Sequence, residues 1–176
     1  MTASEDSTAV VWDITTGEKL LTLDGHDGAV LCVSAYQPVA EDEAPVIITG
    51  GDDGKAIVWD LYSGRQIHVL EGAHEDWIRA VSVVASLDGT FGPLVATGSD
   101  DATLALWDLN SGEFVRKLEE GHQDYVNSIV SYVSADKALP PVVISGSEDC
   151  TMRIWPLSRG EHYFIAVHFR SCLVVG

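Results

Sequence analysis

Short apolar runs rich in β-branched residues recur along the chain, and clusters of Gly, Pro, Asp and Ser separate them at hairpin intervals. In one stretch the runs fall at Ile78–Ala85, Leu94–Gly98, Thr103–Leu109 and Phe114–Leu118. Short runs bounded by turn-formers read as strands, so the unit is a four-stranded antiparallel sheet. In the third run, alternation separates Leu104 and Leu106 from the face carrying Trp107. The same division sets Ala9 and Val11, Ala56 and Val58, and Met152 and Ile154 apart from Trp12, Trp59 and Trp155. Both faces are apolar, as sheets stacked on both sides require. Asp53-Gly54 supplies the turn chemistry between the second and third strands.

The runs belong to a repeat. Four segments align without gaps around their tryptophans: Thr2 to Trp12-Asp13, Thr49 to Trp59-Asp60, Thr97 to Trp107-Asp108 and Ser145 to Trp155-Pro156. The tryptophans are 47, 48 and 48 residues apart. A histidine stands 33 residues before each of the last three: His26 after Gly25, His74 after Gly72-Ala73 and His122 after Gly121. From each histidine a hydroxyl residue follows 23 positions on (Thr49, Thr97, Ser145) and an aspartate 27 positions on (Asp53, Asp101, Asp149). The first copy has Asp6 and Trp12 but no histidine.

A Gly-His, a Ser/Thr-x-Ser-x-Asp segment and a closing Trp-Asp in registered copies resemble the WD-repeat family, over about residues 2–158. The resemblance implies an all-β fold, a β-propeller of four-stranded antiparallel blades, with the repeat boundary offset from the blade boundary. It divides the chain into a propeller segment at 1–166, with a partial repeat at 2–24 and complete repeats at 25–71, 72–120 and 121–166, followed by a tail at 167–176. The fourth strand of the last repeat is expected within Gly160–Ala166.

Two departures concern single positions. Pro156 replaces the aspartate after Trp155, removing a backbone donor at a strand end, and Ala73 separates Gly72 from His74. A third is length, since units of 47 to 48 residues exceed the usual ~40–45. The excess falls in Gln37–Pro45, Ser86–Pro93 and Ser134–Pro141, in loops that the resemblance projects from the face opposite the histidines. The first carries Glu41-Asp42-Glu43, read as a solvated loop in preference to a docking site.

Recurring His, Ser or Thr, and Asp invite a nucleophile and base reading, because imidazole activates a hydroxyl for acyl transfer. A catalytic centre is ordinarily single, and this set occurs three times. The resemblance implies instead a structural chain of hydrogen bonds from each Trp indole through the hydroxyl and His to the Asp. Its members are Trp59, Thr49, His26 and Asp53; Trp107, Thr97, His74 and Asp101; and Trp155, Ser145, His122 and Asp149, with Asp6 and Trp12 in the partial copy. No catalytic residue and no cofactor is therefore expected. His162 and His168 lack a supporting carboxylate cluster for a metal, and no glycine turn is followed by the Lys-Ser/Thr of a phosphate loop.

Composition narrows the partners. A net charge of −17, from 10 Lys and Arg against 27 Asp and Glu, repels phosphate backbones and anionic lipid, so direct nucleic-acid and membrane partners are not expected. No apolar stretch reaches the ~20 residues of a membrane span; the nearest, Tyr163–Val175, is interrupted by Arg170. Cys32, Cys150 and Cys172 are too scattered for a disulfide framework and read as small hydrophobes of a reducing compartment. With no secretory leader in Met1–Asp6, an intracellular, cytoplasmic location is expected, the nucleus being the alternative.

The expected function is a non-catalytic scaffold that binds proteins or peptides, with basic ones favoured. The resemblance sets Glu5, Asp52, Asp100 and Glu148, each just before a network aspartate, near the channel rim on the histidine-bearing face. The same face should carry Ala29 and Leu31, Trp77 and Arg79, and Tyr125 and Asn127, of which Trp, Tyr and Arg are the types enriched in binding hot spots. The competing readings are a regulatory portion of a larger enzyme or receptor, and a hydrolase. Three complete repeats and part of a fourth fall short of the ~4–8 blades of a closed ring. A segment of a larger propeller is the leading expectation, with self-association or four-bladed closure as alternatives.

Overall fold

The apolar runs form strands, and the Gly, Asp and Ser clusters reverse the chain between them. The computed structural model describes residues 1–38, 44–85, 91–118, 121–134 and 140–157, with the backbone of 165–168. The first sheet holds β1 (Thr2–Ala3), β2 (Thr8–Trp12) and β3 (Lys19–Asp24). The second holds β4 (Val30–Tyr36), β5 (Val46–Gly51), β6 (Ala56–Asp60) and β7 (Gln66–Leu70). The third holds β8 (Ile78–Val84), β9 (Leu94–Ser99), β10 (Leu104–Asp108) and β11 (Phe114–Leu118). The fourth holds β12 (Val126–Tyr132), β13 (Val142–Ser147), β14 (Thr151–Pro156) and β15 (Ile165–His168). Each sheet is an antiparallel meander in chain order.

Burial along the third strands reports how the sheets stack. In β6 and β10 four consecutive residues are buried, because a neighbouring sheet covers either face. In β2 and β14 burial alternates residue by residue, because only one face is covered. Three apolar cores fill the interfaces. Ala9, Val11 and Leu23 meet Val30, Ile47, Ile57 and Trp59 between the first and second sheets. Val46, Ile48, Val58 and Leu70 meet Ile78, Val95 and Trp107 between the second and third. Ala96, Leu104, Leu106 and Leu118 meet Val126, Val143 and Trp155 between the third and fourth. None of these cores joins the fourth sheet to the first, so the described residues form an open stack, a partial propeller. The inner strands β4, β8 and β12 lie side by side along it.

Cys32 packs as a small hydrophobe, its thiol pushed up to about 12 by burial. Gly50, on β5, lies where a methyl group would come within 2.6 Å of Ile78 Cγ2 and 2.7 Å of Cys32 Sγ. At the equivalent Gly146 such a group would meet only the rotatable Ser128 hydroxyl. Gly50→Ala is therefore expected to cost about 1–3 kcal/mol by overpacking the second interface, and Gly146→Ala under ~1 kcal/mol. Urea midpoints of the two variants test this, and equal losses would contradict the assignment of the fourth sheet's outer face as uncovered.

The aspartate of Trp-Asp builds a turn. Asp60 Oδ1 accepts the Ser63 amide at 2.6 Å, and Asp108 Oδ1 accepts the amides of Asn110 at 3.0 Å and Ser111 at 2.8 Å. The backbone amides of Asp60 and Asp108 close the same turns onto the carbonyls of Arg65 and Glu113. Pro156 can supply neither bond. The last strand is correspondingly shifted: Val58 stands ten residues before its partner His68 and Leu106 ten before Arg116, but Ile154 stands eleven before Ile165. It runs to His168, two residues into the segment expected to be tail. The rest of that tail, His162 and most of the three long inner loops, Glu41–Glu43 included, lie outside the described residues. Among those described, no helix is long and apolar enough to cross a membrane.

Candidate functional site

Strand register assembles the repeated side chains. Thr49, Thr97 and Ser145 sit on the second strands directly beside the inner strands, paired with Val33, Val81 and Ile129. Each tryptophan, ten residues on, folds its indole back over the hydroxyl: Trp59 Nε1 donates to Thr49 Oγ1 at 2.9 Å, Trp107 to Thr97 at 3.0 Å and Trp155 to Ser145 at 2.9 Å. The histidine Nε2 atoms lie 2.8, 2.7 and 2.7 Å from the same hydroxyls. Their Nδ1 atoms lie 2.9, 3.1 and 3.0 Å from Asp53, Asp101 and Asp149.

The inventory of donors fixes the direction of the chain. The indole can only donate, so the hydroxyl oxygen accepts from it and turns its own proton to Nε2, which leaves Nδ1–H to donate to the carboxylate. This arrangement satisfies every member with a neutral imidazole. Each carboxylate also accepts the amide after its histidine, from Asp27, Glu75 and Gln123 at 3.0, 3.2 and 3.0 Å. Burial, the largest influence on all three aspartates, works to raise them. Hydrogen bonds from the histidines, from nearby amides and from Thr103 and Thr151 outweigh it, and all three pKa values are lowered. His122 is lowered chiefly by burial, against the pull of Asp149.

The nucleophile reading meets an obstacle in this geometry. The hydroxyls of Thr49, Thr97 and Ser145 are 0%, 0% and 1% exposed and each oxygen is occupied by an indole N–H, so a substrate carbonyl has no approach. Among the described residues no group of His, Cys, Asp and Glu could hold a metal ion.

The residues expected at the rim fall into matched positions of successive sheets that behave differently. Arg79 of β8 binds Asp100 through Nε to Oδ1 and Nη2 to Oδ2, the latter at 2.8 Å, a bidentate pair. Its guanidinium also stands 5.2 Å from the Trp77 ring and 5.7 Å from the Tyr125 ring. In the fourth sheet Asn127 Nδ2 donates to Glu148 Oε1 at 3.1 Å. In the second the matching residue is Leu31, whose side chain cannot donate, and the Asp52 carboxylate packs against Gly28. Glu5 is exposed at the edge of the first sheet. Asp100 and Glu148 are thus engaged within the chain.

A cleft of about 670 Å³ opens between the second and third sheets on this face, lined by Asp52, Asp53, Lys55, Glu71, Glu75, Asp76 and Trp77 among others. Trp77, 43% exposed, stands between the cleft and the Arg79 stack. Lys55 is held by Asp27 at 2.9 Å and Glu71 at 3.8 Å. The sequence named Asp52 and Trp77, but Glu71, Glu75 and Asp76 were missed. Their one signal was the acidic stretch on either side of His74, which becomes a wall only when two sheets stack.

The family model for WD domain, G-beta repeat matches residues 17–60, 64–108 and 112–156. Each matched segment takes the outer strand of one sheet and the first three of the next, whereas repeats counted from the histidines, at 25–71, 72–120 and 121–166, each hold the strands of one sheet. No curated protein matches the chain. Among solved structures, the WD40 β-propeller domain of Doa1 superposes with a TM-score of 0.70 at 27% identity, over 96% of this chain and 50% of that one. The computationally designed Ika4 protein gives 0.68 at 28% identity, over 89% of this chain and 83% of that one. The designed Ika8 protein gives 0.67 at 28% identity, over 88% and 42%. The chain therefore spans half or less of the Doa1 and Ika8 structures and most of Ika4.

Proposed function

The chain belongs to the WD-repeat family, whose propellers generally serve as protein-interaction scaffolds, and from that premise we propose that it binds a partner protein through a basic segment on the histidine-bearing face. The observation carrying this reading is the half-exposed Trp77 at the mouth of an acidic cleft. Asp52, Glu71, Glu75 and Asp76 supply negative potential for a lysine or arginine, and the indole supplies apolar area and a π-face for its stem and head. Arg79, locked between Trp77, Tyr125 and Asp100, holds the indole in place and contributes no free positive charge. The buried Trp, Thr or Ser, His and Asp sets keep the sheets in register below this surface.

The test is a titration with arrays of lysine- and arginine-containing peptides, alongside acidic and neutral ones. The expected result is selective capture of basic peptides that weakens at least tenfold in Trp77→Ala and in Glu75→Lys. Tyr62→Ala should leave it unchanged, because Tyr62 is exposed in the turn after β6, at the opposite end of the sheet. Equal loss in all three variants, or none in Trp77→Ala, would overturn the reading.

A further inference from the structure

One position of the repeat is filled differently in the second sheet. Two residues after the network aspartate stand Thr8, Thr103 and Thr151 in the first, third and fourth sheets, and each donates its hydroxyl to that aspartate, at 2.7, 2.5 and 2.6 Å. In the second sheet the residue is Lys55, which gives Asp53 its backbone amide, at 3.0 Å, and has no hydroxyl to add. Its side chain lies instead at the cleft between the second and third sheets, where Nζ stands 2.9 Å from Asp27 and 3.8 Å from Glu71. The hydrogen bond to Asp27 is the main cause of its raised pKa, so the side chain is an ammonium.

The cleft therefore has two acidic walls, and one of them already holds a cation. Asp27, Lys55 and Glu71 belong to the loops of the second sheet, whereas Glu75, Asp76 and Trp77 lie on the segment that leads into β8. The walls meet closely, since a methyl group at Gly54 would stand 3.5 Å from the Asp76 carbonyl. Lys55 is the one Lys or Arg among the cleft's described lining residues.

We propose that Lys55 is a specificity-determining residue: its ammonium fills the second of two cation subsites in the cleft, so that the site takes a partner segment with a single basic residue in preference to a basic run. The proposal rests on the reading of the cleft as a site for basic segments. The partner's lysine or arginine meets Trp77, Glu75 and Asp76. A second one reaches Glu71 and Asp27 only by displacing Lys55, and exchanging one ammonium for another yields no net attraction. The fold does not require this pairing. The side chains of Asp27 and Glu71 are 79% and 62% exposed, ion pairs so exposed contribute little to stability, and threonine serves at the same position in the other three sheets.

The probes are two short capped peptides of glycine and serine, one carrying a single lysine and the other a run of four. Each is titrated into the full 176-residue chain while the Trp77 indole resonance is followed by NMR. Lys55→Thr restores the residue type of the other sheets together with its hydroxyl for Asp53, so this variant keeps its fold, which its thermal midpoint checks. The preference for the run over the single lysine is expected to rise at least fivefold in Lys55→Thr, to stay at the parent value in Lys55→Arg, and to fall back when Glu71→Gln is added to Lys55→Thr. Lys19→Thr removes the same charge from the first sheet and should leave the preference unchanged. Peptides that shift the Trp77 resonance with the same preference in parent and Lys55→Thr would overturn this proposal alone, as would an equal rise in Lys19→Thr. Failure of both peptides to shift it in parent and variant would overturn the reading of the cleft as well.

Discussion

Replacing Thr97 by valine is expected to lower the stability of the chain by roughly 2–4 kcal/mol, although the two side chains have nearly the same shape. The change strands two buried groups at once. Trp107 Nε1–H loses its acceptor at 3.0 Å and His74 Nε2 loses its donor at 2.7 Å, and neither can turn to water, since Thr97 is 0% exposed and the His74 side chain 0%. Each orphaned buried group costs about 1–3 kcal/mol, whereas a satisfied hydrogen bond contributes only about 1 kcal/mol net, so the asymmetry and not the bond sets the loss. Thr97→Ser keeps both partners and should cost under ~1.5 kcal/mol. In a Trp107→Phe background the donor is already gone, and Thr97→Val should then cost about half as much, the signature of shared partners. Urea denaturation at neutral pH measures all four. A Thr97→Val midpoint indistinguishable from that of the parent would mean that the set does not hold the third sheet.

The repeated sets were legible in the sequence because their geometry is local to one sheet. Once Thr49 is paired with Val33 and Ile57, the positions of His26, Asp53 and Trp59 follow from strand spacing, and spacing is what a sequence displays. The strands around Trp107 likewise fall within a residue or so of their expected limits. What escaped depends on relations that spacing does not encode. Arg79 and Asp100 were both placed on the rim, yet as independent features, because their pairing requires knowing which side chains of neighbouring strands point the same way. His68 reaches across to the carbonyl of Asn110 at 3.0 Å, a bond between sheets. The cleft beside Trp77 is equally a product of stacking. The aspartate of Trp-Asp advertised the family but not its own work, which is to accept turn amides at Asp60 and Asp108.

Acidification should lower the stability of the chain over two pH ranges, and the sign follows from the buried sets. Above pH ~6.5 His122 is neutral in both the folded and the unfolded chain. Its folded pKa is lowered, chiefly by burial, so between that value and ~6.5 the unfolded chain binds more protons and stability falls as pH falls. Asp53, Asp101 and Asp149 are also lowered, so their contribution is complete above ~4 and is lost as pH drops from there through their folded values. A hydrogen bond to a charged group contributes about 1.5–3 kcal/mol, so losing three carboxylate anchors removes several kcal/mol. Relief of self-repulsion in a chain of net charge −17 works in the opposite direction over the same range. The two separate by salt: repulsion among exposed charges is screened within a Debye length of about 3 Å at 1 M, whereas the side chains of Asp53, Asp101 and Asp149 are only 6%, 10% and 10% exposed. In high salt the acid loss should therefore persist and steepen below pH 4. Asp101→Asn removes one of the titrating anchors, and it should be less stable than the parent at pH 7 while losing less on acidification. If parent and variant lose stability in parallel from pH 7 to pH 3, the acid sensitivity lies in the surface charge and not in the histidine–aspartate sets.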